Sequence, residues 1–241
     1  MIKALKRLFK GERLTSEAML ENLRKRGALI GDDVLVYSPS TTVLDGANAF
    51  LLTIGDHVRI TAGVKVLTHD YSWSAMKTYG SDAVMPGAIL GSQATVNIGS
   101  YVFIGMNAVI TPGVTIGDHV IIGAGSVVTK DCESGGVYAG NPAKKIATLE
   151  DFYHKRKARQ FEEARAMALH YRARFGQTPP RTLFREYFML FTTRQEADQT
   201  EAFRFQMALL GSYEQTAAYM DANPPMFATY EEFLKACGLE D

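Results

Sequence analysis

Ile98, Ile104, Ile110, Ile116, Ile122 and Val128 follow one another at intervals of six residues, a period that suits neither a helix nor a simple strand. Four positions after each comes a second small or apolar side chain: Val102, Ala108, Val114, Val120, Ser126 and Cys132. Every hexad therefore has two inward positions. Gly99, Gly105, Gly117 and Gly123 stand directly behind four of the aliphatic residues, where a side chain would obstruct a tight turn or a close backbone approach. Each hexad reads as a short strand plus a corner. A unit this small buries no apolar face alone and must stack on its neighbours, which is the physical content of a β-solenoid.

The same beat runs upstream through Ile30 and Val36, fades at Thr42 and Asn48, and returns at Ile54, Ile60 and Val66. Asp32, Asp56 and Asp118 each follow an Ile-Gly pair, and short polar side chains suit such corners. After Val66 the beat is lost across Thr68, His69, Asp70, Tyr71, Trp73, Tyr79, Pro86 and Gly87, then regains phase at Ile98. An excursion of this length, about residues 68–95, exceeds the usual connection, and a long loop thrown out by a regular scaffold is more often functional than idle.

On either side the pattern turns helical. Residues 1–29 read as an N-terminal helical segment, with Leu5, Leu8 and Phe9 on one side, Thr15 or Ser16 as N-cap before Met19, Leu20 and Leu23, and Gly27 as a stop. The solenoid is expected over 30–147, closed by Asn141-Pro142, and an α-helical extension over 148–241. The extension opens with one long charged helix, 148–176, whose Phe152, Phe161, Ala164, Ala168 and Tyr171 are the buried candidates. Shorter helices are expected around Leu183–Phe191, Glu196–Leu210, Tyr213–Met220 and Tyr230–Ala236.

Composition narrows the function classes. The chain has 26 Lys plus Arg and 26 Asp plus Glu, so no net field draws it to nucleic acid or an acidic polymer. No run approaches the roughly 18 apolar residues of a membrane span, and cationic Met1–Lys10 lacks an apolar core and a small-residue cleavage site. The two cysteines, Cys132 and Cys237, lie far apart, with Cys132 at an inward repeat position; a reducing compartment, the cytoplasm, is the expectation.

The run Ile104-Gly105-Met106-Asn107-Ala108, then Pro112-Gly113-Val114-Thr115-Ile116-Gly117-Asp118, Ile122 through Asp131, and Ala139-Gly140-Asn141-Pro142-Ala143-Lys144 resembles the hexapeptide-repeat acyltransferases. Within them it looks most like the galactoside, maltose and capsular polysaccharide O-acetyltransferase branch, in which a Thr-His-Asp loop, here Thr68-His69-Asp70, precedes this region. The resemblance covers roughly residues 30–147. It implies a mainly β fold, a left-handed parallel β-helix of triangular section, assembled as a homotrimer that takes acetyl-CoA at grooves between subunits.

Acyl transfer from a thioester to a hydroxyl requires a group to remove the hydroxyl proton, and imidazole titrates near neutrality. His69 is that candidate, at the break between coil and loop, and the resemblance gives it the same role. Asp70 is the adjacent acid that would support it, although neighbouring strand residues point opposite ways; a backbone carbonyl, or a carboxylate from an earlier coil such as Asp45, would serve equally. Asp45, Asn48 and Trp73 are the candidates for acceptor contacts. For the donor, the resemblance implies backbone contacts to pantetheine at Met106 and Ala124, with Gly105 and Gly123 keeping the groove open. It also places Thr129, Lys130 and Lys144 near the nucleotide, whereas Ala147 replaces a position often basic in the family.

His57 and His119 repeat the context Ile-Gly-Asp-His-Val and are read as structural. A zinc site wants about three close imidazoles, which this distribution does not offer, so no metal is expected. The expected activity is acetyl-CoA-dependent O-acetylation of a sugar, glycan or glycolipid hydroxyl. N-acetylation of an amino sugar and a catalytically silent solenoid whose tail recruits partners stand as the alternatives.

Overall fold

The computed structural model describes residues 15–82 and 84–239; the expected helical residues Leu5, Leu8 and Phe9 lie outside them. The chain divides into two compact units, Met1–Phe152 and Tyr153–Asp241.

In the first unit, the helix Ser16–Lys25 starts where the Thr15 hydroxyl accepts the Ala18 amide at 3.1 Å. It buries Leu20 and Leu23 and gives way to Gly27, whose φ of 95° suits a residue without Cβ. The chain then visits three parallel faces in rotation. The first holds Leu29–Ile30, Leu52–Ile54, Val96–Ile98 and Thr115–Ile116; the second Leu35–Val36, Arg59–Ile60, Phe103–Ile104, Ile121–Ile122 and Gly136–Gly140; the third Val43–Leu44, Lys65–Val66, Val109–Ile110 and Val127–Val128. Three hexads make one coil, so Ile98 pairs with Ile116, Ile104 with Ile122 and Ile110 with Val128. These residues fill the interior with Ile54, Ile60 and Val66, all at most 2% exposed. The second inward positions, Val102, Ala108, Val114, Val120 and Ser126, are buried beside them.

The first coil explains the faded beat. Leu44, not Thr42, stands in register with Val66, and Ile30 pairs directly with Ile54. Extra residues in the turn at Ser38–Thr41 and a 3-10 turn at Ala49–Leu51 lengthen this coil without displacing its strands. Thr42 is still buried, its hydroxyl donating to the Thr61 carbonyl at 3.3 Å.

The corner between first and second faces is held by a ladder in which Asp56, Ser100, Asp118 and Ser134 side chains accept the amides of Asp32, Asp56, Ser100 and Asp118. Behind it His57, Tyr101 and His119 stack with ring centres 4.7 Å apart, and His57 Nδ1 lies 2.9 Å from Asp33 Oδ2. This column accounts structurally for the two repeated-corner histidines. The coil ends in an antiparallel hairpin, Gly136–Gly140 with Ala143–Thr148, around Asn141-Pro142.

The helix Leu149–Phe175 leads into the second unit, whose core is aromatic: Phe184, Phe191, Phe203 and Phe233 are fully buried. The pattern expected as one helix over Leu183–Phe191 is instead two 3-10 turns, Arg181–Phe184 and Phe188–Leu190, which deliver Phe184, Phe188 and Phe191 into that core. Helices Arg194–Asp198 and Glu201–Met207 replace the single one expected from Glu196, and Tyr213–Ala222 and Tyr230–Ala236 complete the unit. No described helix is long and apolar enough to cross a membrane.

Candidate active site

The third-face strand Lys65–Val66 runs through Leu67 to the excursion, where the coil ladder is broken by a short antiparallel hairpin. His69–Asp70 pairs with Ser92–Gln93, His69 opposite Gln93. The Thr68 carbonyl accepts the Ala94 amide at 3.0 Å, which ties the exit of the excursion to its return. A 3-10 turn, Ser72–Met76, follows the outgoing strand.

One coil earlier, Asp45 sits directly beyond Val43–Leu44, its amide bonded to the Val66 carbonyl. Its side chain is 6% exposed and reaches under the excursion. Oδ2 accepts the Thr68 amide at 3.0 Å and the Thr68 hydroxyl at 2.8 Å, and lies 2.5 Å from His69 Nδ1; Oδ1 accepts the Ala47 amide at 3.0 Å. Burial alone would raise the Asp45 carboxyl, but the hydroxyl and amide of Thr68, the Ala47 amide and His69 together outweigh it and hold the pKa at about 2. An ionised carboxylate has no proton to give, so Nδ1 of His69 donates and a neutral ring carries its lone pair on Nε2. The imidazole itself is 41% exposed, open to a reacting partner on its outer side.

The geometry revises one pairing. Asp70, the adjacent acid, is turned to Ser72, accepting its amide and hydroxyl at 2.8 Å each, because alternation along the strand sends consecutive side chains apart. Asp45, which the sequence offers both as the alternative orienting carboxylate and among the acceptor contacts, is the one that faces His69. Asn48 donates to Gln93 Oε1 at 3.2 Å and so braces the returning strand against the first coil. Trp73 packs edge-on to Tyr71 at 4.7 Å. Thr68 and Gln93 carried no role in the sequence reading; only the hairpin register and the first-coil insertions bring them to Asp45 and Asn48.

The donor candidates fall at two corners. Gly105-Met106 and Gly123-Ala124 stack between the second and third faces, where the Gly125 amide donates to the Met106 carbonyl at 2.7 Å. Lys144 joins them through its pairing with Ala139, which lies over Gly123. Gly105 serves the coil wall: a Cβ there would fall 2.5 Å from the Ala124 nitrogen, so its role is close stacking rather than an open groove. Thr129 and Lys130 follow the third face, in the same corner column as Asp45 and Leu67. They share His69's corner, not that of Met106. Cys132 is buried against the first face through its bridge to Ile116. Burial, with Asp131 beside it, pushes its thiol up to about 11, so it is no ready nucleophile.

The family model of the bacterial transferase hexapeptide (six repeats) matches residues 95–130. Over 136 residues the chain is 43% identical to Protein CapG of Staphylococcus aureus, a match that covers 56% of this chain and 74% of that protein. The chain belongs to the hexapeptide-repeat transferase family. The three-faced coil is accordingly the left-handed parallel β-helix of these transferases, carrying a helical C-terminal part. Among solved structures, this hexapeptide-repeat chain is similar to the maltose O-acetyltransferase from Clostridium difficile 630, at 30% identity and a TM-score of 0.41 over 61% of this chain and 83% of that one. It is also similar to the polySia specific acetyltransferase NeuO, at 32% identity and a TM-score of 0.34 over 49% of this chain; the match spans 48% of NeuO's own length.

Proposed function

We propose that this hexapeptide-repeat transferase is an acetyl-CoA-dependent O-acetyltransferase acting on a hydroxyl of a sugar, glycan or glycolipid. The observation that carries the reading is the ionised Asp45 held 2.5 Å from His69 Nδ1, which leaves Nε2 basic and accessible. As the acceptor hydroxyl oxygen attacks the thioester carbonyl, Nε2 takes its proton; as the C–S bond breaks, the proton passes to the departing sulfur. Asp45 stabilises the imidazolium between these steps. Transfer is direct, since the Cys132 thiol is buried and far from ionised at neutral pH. Release of CoA that depends on an added sugar or glycan, above background hydrolysis, tests the reading; turnover indifferent to every hydroxyl acceptor contradicts it.

The two-corner arrangement favours a homotrimer. One chain's Met106–Ala124 corner and a neighbouring chain's His69 corner, with Thr129 and Lys130, would together form the groove that neither makes alone, and threefold symmetry gives three equivalent sites. Mixed trimers of His69→Ala and Ala124→Trp chains are expected to recover activity that each variant lacks, with light scattering giving three chains per particle. Confirmed exchange without recovery, or a fully active monomer, refutes the shared site.

Lys130 and Lys144, both exposed, are assigned to the nucleotide phosphates. Lys130→Ala and Lys144→Ala are expected to raise KM for acetyl-CoA several-fold, about 3–10-fold, with kcat little changed, as for contacts made equally in ground and transition states. Steady-state kinetics with acetyl-CoA and with a donor lacking the nucleotide checks this. A fall in kcat alone, with donor affinity unchanged by calorimetry, would show the phosphates lie elsewhere.

A further inference from the structure

The geometry points to Thr68 as a positioning residue for His69: its hydroxyl shares Asp45 Oδ2 with the imidazole and so limits how strongly the carboxylate holds the Nδ1 proton. The inference rests on the proposed role of His69 as base and concerns what sets its working pH. Thr68 is fully buried and stands where the chain leaves the coil for the excursion. It contributes both its amide and its hydroxyl to one carboxylate oxygen, at 3.0 and 2.8 Å. That oxygen also faces His69 Nδ1 at 2.5 Å. Three donors therefore compete for one oxygen, and each takes part of the charge that the others see.

Removing the hydroxyl concentrates the oxygen's charge on the imidazole. The imidazolium form is then better stabilised, so His69 keeps its proton to higher pH and serves as base over a narrower range. Removing the carboxylate's charge does the opposite. The two changes at one hydrogen-bonded cluster should thus move the same titration in opposite directions, which loss of packing alone does not produce. Among the described residues, the other charged groups placed about this corner are Asp70, which faces Ser72, Arg26, which lies beside Gly46, where an added Cβ would come 2.8 Å from its Nη1, and Lys130, which follows the third face in a later coil. Asn48 and Gln93 are polar and neutral. None of these is altered by the substitutions, so their fields are common to all variants.

The test is the pH profile of kcat/KM, with the His69 imidazole followed by NMR, for wild type, Thr68→Val, Thr68→Ala, Thr68→Ser and Asp45→Asn. Thr68→Val and Thr68→Ala are expected to move the acid limb and the His69 titration up by about half to one pH unit, lowering kcat/KM below the limb about 3–10-fold. The high-pH plateau should stay within about threefold of wild type, a size set by one lost hydrogen bond to an unreactive group. Thr68→Ser, which keeps the hydroxyl, should restore the wild-type limb, and Asp45→Asn should move it down. An unmoved or lowered limb in both hydroxyl-free variants, with Thr68→Ser no different from them, overturns the inference. So would failure of both hydroxyl-free variants to fold, since the hydroxyl would then be a structural requirement rather than a tuning one. The reading of His69 as base fails separately, if His69→Ala turns over near the wild-type rate.

Discussion

Replacing His69 with alanine is expected to lower kcat by about 10²–10⁴, the loss typical of a general base, while the β-helix folds and melts as before. The side chain is partly exposed and its Nδ1 faces Asp45; it contributes little to the interior that Ile54, Ile60, Ile98 and Ile104 fill. His57→Ala and His119→Ala are the controls. Their rings stack on Tyr101 at a different corner of the coil, so they should alter stability more than turnover. Equal catalytic losses at all three histidines would contradict the assignment and point to a shared site that the corner geometry does not build.

Asp45→Ala is expected to cost both activity and stability. Four donors aim at the carboxylate: two from Thr68, one from Ala47 and one from His69. Without it the buried Thr68 groups lose their partner, a penalty of about 1–3 kcal/mol for each unsatisfied donor that water does not reach. Chemical denaturation should therefore show a loss of roughly 2–5 kcal/mol. The His69 ring, no longer held in one tautomer, should lose most of its catalytic advantage, about 10²-fold or more in kcat. Acid stability carries its own signature. The Asp45 carboxyl titrates lower in the folded chain, at about 2, than its ordinary 3.8. The contribution, about 2 kcal/mol by linkage, is thus present above pH 3.8 and lost as pH falls towards 2. Asp45→Asn should flatten the acid side of the stability curve in that window; an unchanged slope would mean that the carboxylate is not so held.

Much of the fold is legible because the hexad couples sequence to space without ambiguity. Ile98, Ile104 and Ile110 must lie on successive faces and Ile116 must return over Ile98, so the regular coils could be phased from aliphatic residues alone. The first coil resists this reading because extra residues at 38–41 and in the turn Ala49–Leu51 add length off the six-residue beat; Thr42 and Asn48 fall on the beat, but Leu44 and Ile54 keep the register. The choice between Asp45 and Asp70 as the orienting carboxylate stays open in the sequence for the same reason. Asp45 reaches His69 only once the inserted residues are discounted, while Asp70 is adjacent in sequence yet turned away by strand alternation. His69 itself could be found because the loop that carries it interrupts an otherwise regular beat.

The corner assignments show a different limit. Met106 and Ala124 are one full coil apart and therefore share a corner, whereas Thr129 and Lys130 follow the next face; counting faces separates them, but the family motif alone groups them. In the tail, the long helix Leu149–Phe175 has the length and the charged pattern that sequence reveals well. The segment from Leu183 to Phe191 has helical spacing too, yet its aromatic side chains are accommodated by two tight turns, a choice set by packing among Phe184, Phe203 and Phe233 rather than by local propensity.

The central claim is that the Asp45–His69 pair activates an acceptor hydroxyl towards acetyl-CoA. The most direct measurement is to incubate wild type and His69→Ala with isotopically labelled acetyl-CoA and a panel of hydroxyl and amino sugars and glycans, and to locate the label by mass spectrometry before and after mild alkali. The account predicts an alkali-labile acetyl ester on a sugar hydroxyl, formed by wild type and reduced at least a hundredfold in rate by His69→Ala, in keeping with loss of a general base. Label found only as an alkali-stable amide, or an ester formed equally well without the imidazole, would contradict it.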